Sequence, residues 1–408
     1  MSSQASRLAA ARLERSQIRA DAARKMPSTT SQAAYGSFWD QNAPSPAPAA
    51  GSISSNGRGG MSSSSADAGM PLAQGPSAAP AVAPGVQMAE IGVPLVPLSS
   101  SEAFGVTSKE GALHENHDQG AACILPDHST VLFACLDGHG AEGASVSGFA
   151  LRNLLAGCAS ALRAGKPPAD AVHFAFGRTS GTMAQNVSDC RFSGSTAILT
   201  VLQNTDKGRV VTTGWVGDSR AVLARTRPPQ QHGQRAPPGS ANGLLPVPLT
   251  KDHKPTDPKE RTRLQEARAI VRPSRVINPH TGAWIEVGAV RVWDSSQIYG
   301  VAMSRSLGDM QVHPFLIPTP EVSTRLLDEK DRLLVLATDG VWDVMDNDEA
   351  ITAAAQGAPQ AVSKEIVDIC AKRWDSQMPG RRDDITAVVV DLSHPDLCVA
   401  PAPVPVAS

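Results

Sequence analysis

The sequence predicts an α+β fold in which β-sheets are layered and covered by helices. Two observations support this class: short apolar runs of strand length follow one another along the chain, and segments with helical periodicity are inserted between them in pairs. A third observation limits the folded part, because the first 97 residues differ in composition from the rest. We therefore expect one large folded domain that follows a long tail.

Seven short runs predict the strands. Their lengths and their content of Val, Ile, Leu and Thr are typical of buried β-strands. The runs are 121–125, 131–136, 195–203, 209–216, 221–225, 332–337 and 385–392.

Four segments predict helices, because their apolar residues recur at helical spacing. In the first, Val146, Leu154 and Cys158 lie near one face, and in the last, Val362 and Ile366 belong to one stripe. The segments are 142–164, 167–186, 347–356 and 359–374.

The ends of the chain and one internal segment lack these patterns. Residues 1–97 are rich in Ala, Ser, Pro and Gly and bury too little apolar surface to offset ordering entropy, so we expect a disordered tail. We expect a second disordered tail over 394–408 and a surface loop over 226–246. The folded domain is then expected over 98–393.

An Arg-rich stretch at 6–25 makes organelle targeting an alternative. Its acidic residues Glu14 and Asp21 favour a solvated tail instead, and with it a cytoplasmic or nuclear location. The six scattered cysteines include no C-x-x-C pair, which fits reduced thiols inside a cell.

The overall charge excludes some classes of partner. A formal charge of −2 and a pI near 6.6 give no basic surface for nucleic acid. No apolar run reaches the roughly 18 residues that a membrane helix needs. We expect a soluble monomer that binds neither nucleic acid nor the membrane interior.

Five aspartates stand next to the predicted strands. Asp137, Asp218 and Asp339 follow strands, Asp118 precedes one, and Asp383 leads into another. Gathered in one place, their charges would repel each other strongly unless a cation neutralised them. Oxygen ligands of this kind suit Mg²⁺ or Mn²⁺, and such a site can hold two ions.

The stretch "LDGHG" (136–140) adds a histidine to these carboxylates. Taken alone, Asp137-Gly138 is more simply interpreted as a turn. Beside two ions that share a bridging water, however, His139 could protonate the leaving alkoxide while that water attacks a phosphate ester directly. The chemistry expected is hydrolysis of a phosphomonoester without a covalent intermediate.

Eight motifs occur in one order along the chain. Together they resemble the metal-dependent serine/threonine protein phosphatases of the 2C type, and the resemblance covers nearly all of residues 98–393. The motifs are "NHD" (116–118), "LDGHG" (136–140), "SGSTA" (193–197), "VGDSRAVL" (216–223), "LTKDHKP" (249–255), "VAMSRSLGD" (301–309), "LATDGVWDVM" (336–345) and "RRDDITAVVV" (381–390).

The resemblance implies an α-β-β-α sandwich, in which two central antiparallel sheets are flanked by helices and the metals lie at one end. It also implies hydrolysis of phosphoserine and phosphothreonine in phosphoprotein substrates, with a variable flap at about 252–300 beside the site. The implied metal ligands are Asp118, Asp137, the Gly138 carbonyl, Asp339 and Asp383, with Asp218 linked to a weaker third ion. His139 occupies the position of the general acid proposed for this family.

Three positions depart from the family pattern. Leu113 stands where many members have a phosphate-binding Arg, His117 where many have Glu or Gln, and Asp384 where an Asn is usual. The alternative is therefore a pseudophosphatase that binds phosphoproteins with little turnover. Gly194–Ala197 are interpreted as residues that pack tightly at the start of a strand. Asp309 is interpreted mainly as part of a loop that Ser304 and Arg305 stabilise, and contact of Asp309 with a metal or its waters is the less favoured alternative.

A cysteine-dependent phosphatase is excluded by spacing. That chemistry needs an Arg six positions after the nucleophilic Cys, in the pattern C-x₅-R. Cys135 is followed at that spacing by Ala141, and no other cysteine has Arg there.

Overall fold

The fold is built on two antiparallel sheets. The computed structural model describes residues 96–97, 102–125, 130–227, 243–278 and 280–398. The first sheet has the order β1-β3-β4-β6-β7-β14, with β5 and β13 attached beside the end of β4. Its strands are β1 (Val96–Pro97), β3 (Asp118–Ile124), β4 (Thr130–His139), β5 (Gly194–Ser195), β6 (Ala197–Thr205), β7 (Gly208–Val216), β13 (Leu307–Gly308) and β14 (Glu321–Leu326).

The second sheet has the order β2-β16-β15-β8-β9, and a third, smaller sheet has the order β10-β11-β12. The second consists of β2 (Phe104–Lys109), β8 (Arg220–Thr226), β9 (Leu244–Pro248), β15 (Asp331–Ala337) and β16 (Ile385–Asp391). The third consists of β10 (Ile270–Ile277), β11 (Trp284–Trp293) and β12 (Gly300–Val301).

Six α-helices cover these sheets in the described part of the chain. They are α1 (Gly143–Arg163), α2 (Pro168–Asn186), α3 (Pro258–Glu266), α4 (Asp339–Trp342), α5 (Asn347–Ala354) and α6 (Pro359–Gln377), with short 3₁₀ turns at Met310–Val312 and Pro395–Cys398.

Strand β4 shows how the layers are built, because both of its faces are buried. Successive side chains of a strand point to opposite faces. Leu132 and Leu136 pack with α1 and α2, whereas Phe133 and Cys135 pack with the second sheet. Burying each large side chain contributes about 1.5–3 kcal/mol, so both interfaces of this strand are strongly stabilised.

The outer face of the second sheet forms the remaining layer. Val335 and Val389 pack there against Ile366 and Cys370 of α6. The order of layers is therefore helices, sheet, sheet, helices, and the predicted α-β-β-α sandwich is confirmed.

The flap predicted near 252–300 contains α3, β10, β11 and β12, and it has a small core of its own that includes Leu264 and Val292. A buried ion-pair cluster joins it to the following segment: the guanidinium of Arg305 lies 2.6 Å from Glu260, and that of Arg263 lies 2.9 Å from the same carboxylate. Burial raises the pKa of Glu260, but these hydrogen bonds outweigh it and lower the value to about 2.

All seven predicted strands and all four predicted helices occur, with ends shifted by a few residues. Eight strands and two helices of the described chain were not predicted, namely β1, β2, β9, β10, β11, β12, β13, β14, α3 and α4. Strand β14 illustrates why, because none of its side chains is fully buried and its apolar residues form no run. Exposed edge strands such as this one lack a strong hydrophobic signal.

The described elements also extend past the predicted domain limits. Val96–Pro97 pair with β3, two residues before the expected start at 98, and Leu397 is buried beyond the expected end at 393. The rest of the predicted tails, 1–95 and 399–408, and residues 228–242 of the predicted 226–246 loop lie outside the described residues.

Candidate active site

Asp118 and Asp137 lie directly opposite each other on the neighbouring strands β3 and β4. Paired residues of antiparallel strands point to the same face, so the hairpin alone brings two carboxylates together. The next residue, Gly138, donates its amide to the His117 carbonyl at 3.2 Å, which fixes the backbone where the two strands end.

Asp339 and Asp383 reach the same place from the second sheet. Thr338, which precedes Asp339, donates its hydroxyl to Asp118 at 2.8 Å and its amide to the Thr386 carbonyl at 3.1 Å. A Cβ on Gly340 would lie 1.9 Å from the Asp384 carbonyl oxygen, so the two chain segments are in close contact. We call the region of Asp118, Asp137, Asp339 and Asp383 the carboxylate end.

Asp118 shows that the carboxylate end suits a cation. Burial raises its pKa well above the ordinary value, and the charges of Asp384 and Asp383 raise it further. Its Oδ1 atom is buried and has no hydrogen-bond partner among the described residues. A divalent ion would satisfy that oxygen and reverse the repulsion, and an all-oxygen donor set fits Mg²⁺ or Mn²⁺.

Asp218 lies at the same end but has a partner of its own. Its neighbour Ser219 bonds the hydroxyl of Thr196, which also accepts the Asp137 amide, so the loop that carries Asp218 reaches the carboxylate end. The ammonium group of Lys254 contacts the Asp218 carboxylate. The two residues are 36 positions apart, and no sequence pattern indicates this ion pair.

Thr196 positions Asp137, although it was interpreted only as strand-start packing. Its hydroxyl accepts the Asp137 amide at 2.9 Å, its own amide donates to the Asp137 carbonyl at 2.9 Å, and the hydroxyl also bonds Ser219 at 2.7 Å. One buried side chain therefore connects the backbone of Asp137 with the loop that carries Asp218.

His139 is buried and paired with Asp309. Its Nε2 lies 2.8 and 3.0 Å from the two carboxylate oxygens of Asp309, which also accepts hydrogen bonds from Ser306 at 2.5 Å and Tyr299 at 2.7 Å. Burial raises the pKa of Asp309, but the charge of His139 and these hydrogen bonds outweigh it and leave the pKa below its ordinary value.

Gly194 is required for this arrangement. A Cβ there would lie 2.2 Å from Asp309 and 2.7 Å from Nε2 of His139, so only a bare backbone fits. Asp309 therefore contacts His139, and this pairing with a residue 170 positions away was not predicted. The "SGSTA" and "SLGD" segments contained the residues involved but no signal of their contact.

The side chain of Leu113 is 53% exposed. Two basic residues lie near it in the sequence: Lys109 pairs with Asp368 at 3.6 Å, and His114 stacks on His117 with ring centroids 4.1 Å apart. The nearest sequence neighbours of Leu113 therefore offer an imidazole rather than a guanidinium.

The described thiols are not built for nucleophilic chemistry. Burial raises the pKa of Cys123, Cys158 and Cys370 to about 12, and Cys135 is raised as well. Since the thiolate is the reactive form, the structure agrees with the exclusion of a cysteine-dependent mechanism.

A family model described as "Protein phosphatase 2C" matches residues 102–376. The chain is 37% identical over 218 residues to "Probable protein phosphatase 2C 12" of Oryza sativa subsp. japonica, which is 52% of this chain and 50% of that protein. It is 35% identical over 208 residues to "Probable protein phosphatase 2C 33" of Arabidopsis thaliana, which is 50% of this chain and 37% of that protein. The chain thus spans half or less of the length of these relatives.

Two solved structures share the fold. The serine-threonine phosphatase 2C from Toxoplasma gondii superimposes with a TM-score of 0.56 at 20% identity, over 73% of this chain and 98% of that one. A C. elegans sex determining protein superimposes with a TM-score of 0.55 at 21% identity, over 72% of this chain and 66% of that one. No helix within the described ranges is both long and apolar enough to cross a membrane.

Proposed function

The chain belongs to the protein phosphatase 2C family, and from this premise we propose that it hydrolyses phosphoserine and phosphothreonine in protein substrates with the help of Mg²⁺ or Mn²⁺. The observation that carries the proposal is Asp118. It is a buried carboxylate beside other carboxylates, with one oxygen that no described residue satisfies. Such a group is explained by a site that binds cations.

The carboxylate end supplies the ligands. The ions would be held, directly or through water, by Asp137, which would serve both of them, and by the Gly138 carbonyl, Asp118, Asp339 and Asp383. When bound, the two ions supply an activated water for direct attack and neutralise charge on the phosphate. Asp218 would join a third ion only by exchanging its contact with Lys254.

His139 is proposed as the general acid. Asp309 occupies Nε2, which leaves Nδ1 for the leaving group, and Nδ1 has no hydrogen-bond partner among the residues that the structure describes. A serine or threonine alkoxide is a poor leaving group, so a positioned proton donor is worth about 10²–10⁴ in rate.

Asp309 is proposed as the positioning residue for His139. Its carboxylate fixes the orientation of the ring, as a buried carboxylate does for a catalytic histidine in general. Hydrogen bonds from Ser306 and Tyr299 hold the carboxylate in turn. Asp309 acts through His139 and has no contact with the reacting atoms in this proposal.

The test compares two substrates. His139→Ala is expected to lower kcat on a phosphoserine peptide by about 10²–10⁴, and to lower it much less on p-nitrophenyl phosphate, whose leaving group needs no proton. Asp309→Asn is expected to reproduce the same selectivity with a smaller loss and to change the pH profile. Equal losses on both substrates would assign His139 a structural role.

The alternative is a pseudophosphatase that binds phosphoproteins. Full-length protein, freed of metal and then supplied with Mn²⁺, separates the two on the same peptide. We expect turnover only with the ion, and phosphopeptide binding without turnover under saturating Mn²⁺ would favour the alternative. Full activity in excess chelator would contradict both the ions and the ligand assignment.

We further propose that the protein acts as a monomer in the cytoplasm or nucleus. The location is supported by the five buried cysteines of the described ranges, which form no disulfide, as is usual in a reducing compartment. Light scattering of the purified chain and imaging of a tagged full-length chain test the two statements.

A further inference from the structure

Two of the residues that depart from the family pattern, His117 and Asp384, meet a third side chain, His114, in one place. The ligand atoms of His114, His117 and Asp384 all lie within 4.8 Å of one another. We propose that this His114–His117–Asp384 cluster binds a transition-metal ion of the Zn²⁺ class through side chains other than the Mg²⁺ or Mn²⁺ ligands of the carboxylate end.

Asp384 is held in place for this role by the backbone. One of its carboxylate oxygens accepts the Gly111 amide at 2.6 Å, and the other accepts the His117 amide at 2.7 Å. A carboxylate has about four lone-pair positions, so it can accept backbone hydrogen bonds and bind an ion at the same time. The side chain is 3% exposed, which limits competition from solvent.

His114 is oriented by its own neighbour. Its Nδ1 lies 2.7 Å from the Glu115 carbonyl, and since a carbonyl only accepts, this nitrogen carries the proton. Nε2 then holds the lone pair of the neutral ring. The nitrogen that lies 3.7 Å from the Asp384 carboxylate is Nδ1, so binding an ion through Nε2 requires the ring to turn. Metal-binding histidines are commonly fixed in this way by a hydrogen bond from the second nitrogen to a carbonyl.

His117 is buried against the start of α1. A Cβ on Gly143 would lie 2.4 Å from its Nδ1, so the glycine makes the room that the ring occupies. The two imidazoles are stacked with an angle of 13° between their planes. An ion requires the rings to tilt until both lone pairs converge, and His114, whose side chain is 34% exposed, has space to do so.

The donor set decides the class of ligand. Two imidazoles and one carboxylate suit Zn²⁺, Co²⁺ or Ni²⁺, whereas Mg²⁺ prefers oxygen alone. The same carboxylate lies 3.7 Å from Nδ1 of His114 and would repel a phosphate group. The cluster therefore fits a cation better than an anion, although the two histidines stand near the position of the absent Arg.

The test measures binding rather than turnover. Metal-free full-length protein is dialysed against Zn²⁺, or titrated with Co²⁺ and followed by visible absorption, in a large excess of Mg²⁺ that occupies the oxygen sites. We expect one tightly bound ion per chain. His114→Ala and His117→Gln are each expected to weaken it by at least about 10–100-fold. His173→Ala, which alters an exposed histidine of α2, and Asp339→Asn are expected to keep it.

Three results would overturn the proposal. These are the absence of Zn²⁺ and Co²⁺ binding in excess Mg²⁺, undiminished binding in a folded His114→Ala variant, and loss of the ion in Asp339→Asn alone. If His114→Ala instead raises only the inhibition constant of inorganic phosphate, the histidines belong to substrate binding. Because His114 is partly exposed, its variant is expected to fold even where His117→Gln does not, and circular dichroism checks both.

Discussion

Asp118 at the carboxylate end and Glu260 in the flap are almost equally inaccessible, with 4% and 2% of their surfaces exposed, yet their pKa values move in opposite directions. Glu260 is clasped by Arg305 and Arg263, and its pKa falls to about 2. Asp118 faces the charges of Asp384 and Asp383, and its pKa rises.

Burial is therefore common to both carboxylates and the neighbouring charge separates them. A buried acid with its own guanidinium partners holds the fold together. A buried acid among other acids destabilises the metal-free fold and is explained by what it binds. The two regions should respond in different ways to the same change of charge.

The largest expected difference is in catalysis. Asp137→Asn and Asp339→Asn each remove a charge that neutralises metal, so we expect kcat to fall by about 10² or more. Glu260→Gln, outside the carboxylate end, should lower kcat far less. The measurement is steady-state turnover of a phosphothreonine peptide at saturating Mn²⁺, and near wild-type turnover in both Asp variants would contradict the ligand assignment.

For the stability of the fold, we expect the Glu260 substitution to have a large effect. Glu260→Gln is expected to lower the free energy of unfolding by about 2–3 kcal/mol at neutral pH, because the folded-state pKa of Glu260 is about 2 against 4.5 for the free side chain. A lowered pKa stabilises the fold above the unfolded value, and the contribution is lost as the pH falls through the folded value.

The gap between wild type and Glu260→Gln should therefore close as the pH falls from about 4.5 to about 2. Urea titrations at several pH values measure it, with Glu286→Gln in the exposed Arg275 pair as a matched control that should cost about 1 kcal/mol or less. A gap that stays constant with pH would mean that the loss is one of packing alone.

A cation added at position 113 tests how a change of charge near the carboxylate end affects phosphate binding. Leu113→Arg supplies a guanidinium that can pair with a phosphate dianion, so KM for a phosphopeptide and the inhibition constant of inorganic phosphate are expected to fall by about 3–30-fold, roughly 0.6–2 kcal/mol. Both constants are measured at the same Mn²⁺ concentration and ionic strength, with Leu113→Gln as the uncharged control. Unchanged constants in the folded variant would show that position 113 does not face the phosphate.

The smallest expected effect is a gain in stability, whereas most substitutions of buried residues destabilise a protein. Asp118→Asn removes a buried charge that its neighbours repel, so the metal-free protein should become more stable by about 1 kcal/mol, or about 2–4 °C in Tm. Mn²⁺ should raise the Tm of wild type more than that of the variant. Thermal melts with and without the ion decide this, and a less stable metal-free variant would assign Asp118 a structural role.

The regular helices and strands could be predicted because their hydrophobic patterns lie within short stretches of the sequence. The run around Phe133 in β4 is apolar throughout, since both faces of that strand are covered. The carboxylates followed from their position at strand ends. The exposed strands β11 and β14 could not be found in this way, because half-exposed side chains leave no clear pattern.

The supporting contacts of the candidate site were not predictable either. Asp309 reaches His139 across 170 positions, and Thr338 reaches Asp118 across 220. Hydrogen bonds between residues so far apart depend on the packing of two sheets, which periodicity does not encode. A motif names the residue type, and only the three-dimensional arrangement identifies its partner.

The pairing of β2 with β16 has a consequence for biosynthesis. Ser108 of β2 lies opposite Thr386 of β16, so a strand near the start of the domain pairs with the last strand of the described chain. The hairpin of β3 and β4 can form locally as soon as it is made, whereas closing the second sheet requires a contact of very high sequence separation, which is slow. During synthesis, the nascent chain therefore exposes the inner face of the first sheet until β16 leaves the ribosome. Apolar surface that is exposed during this interval is prone to aggregation.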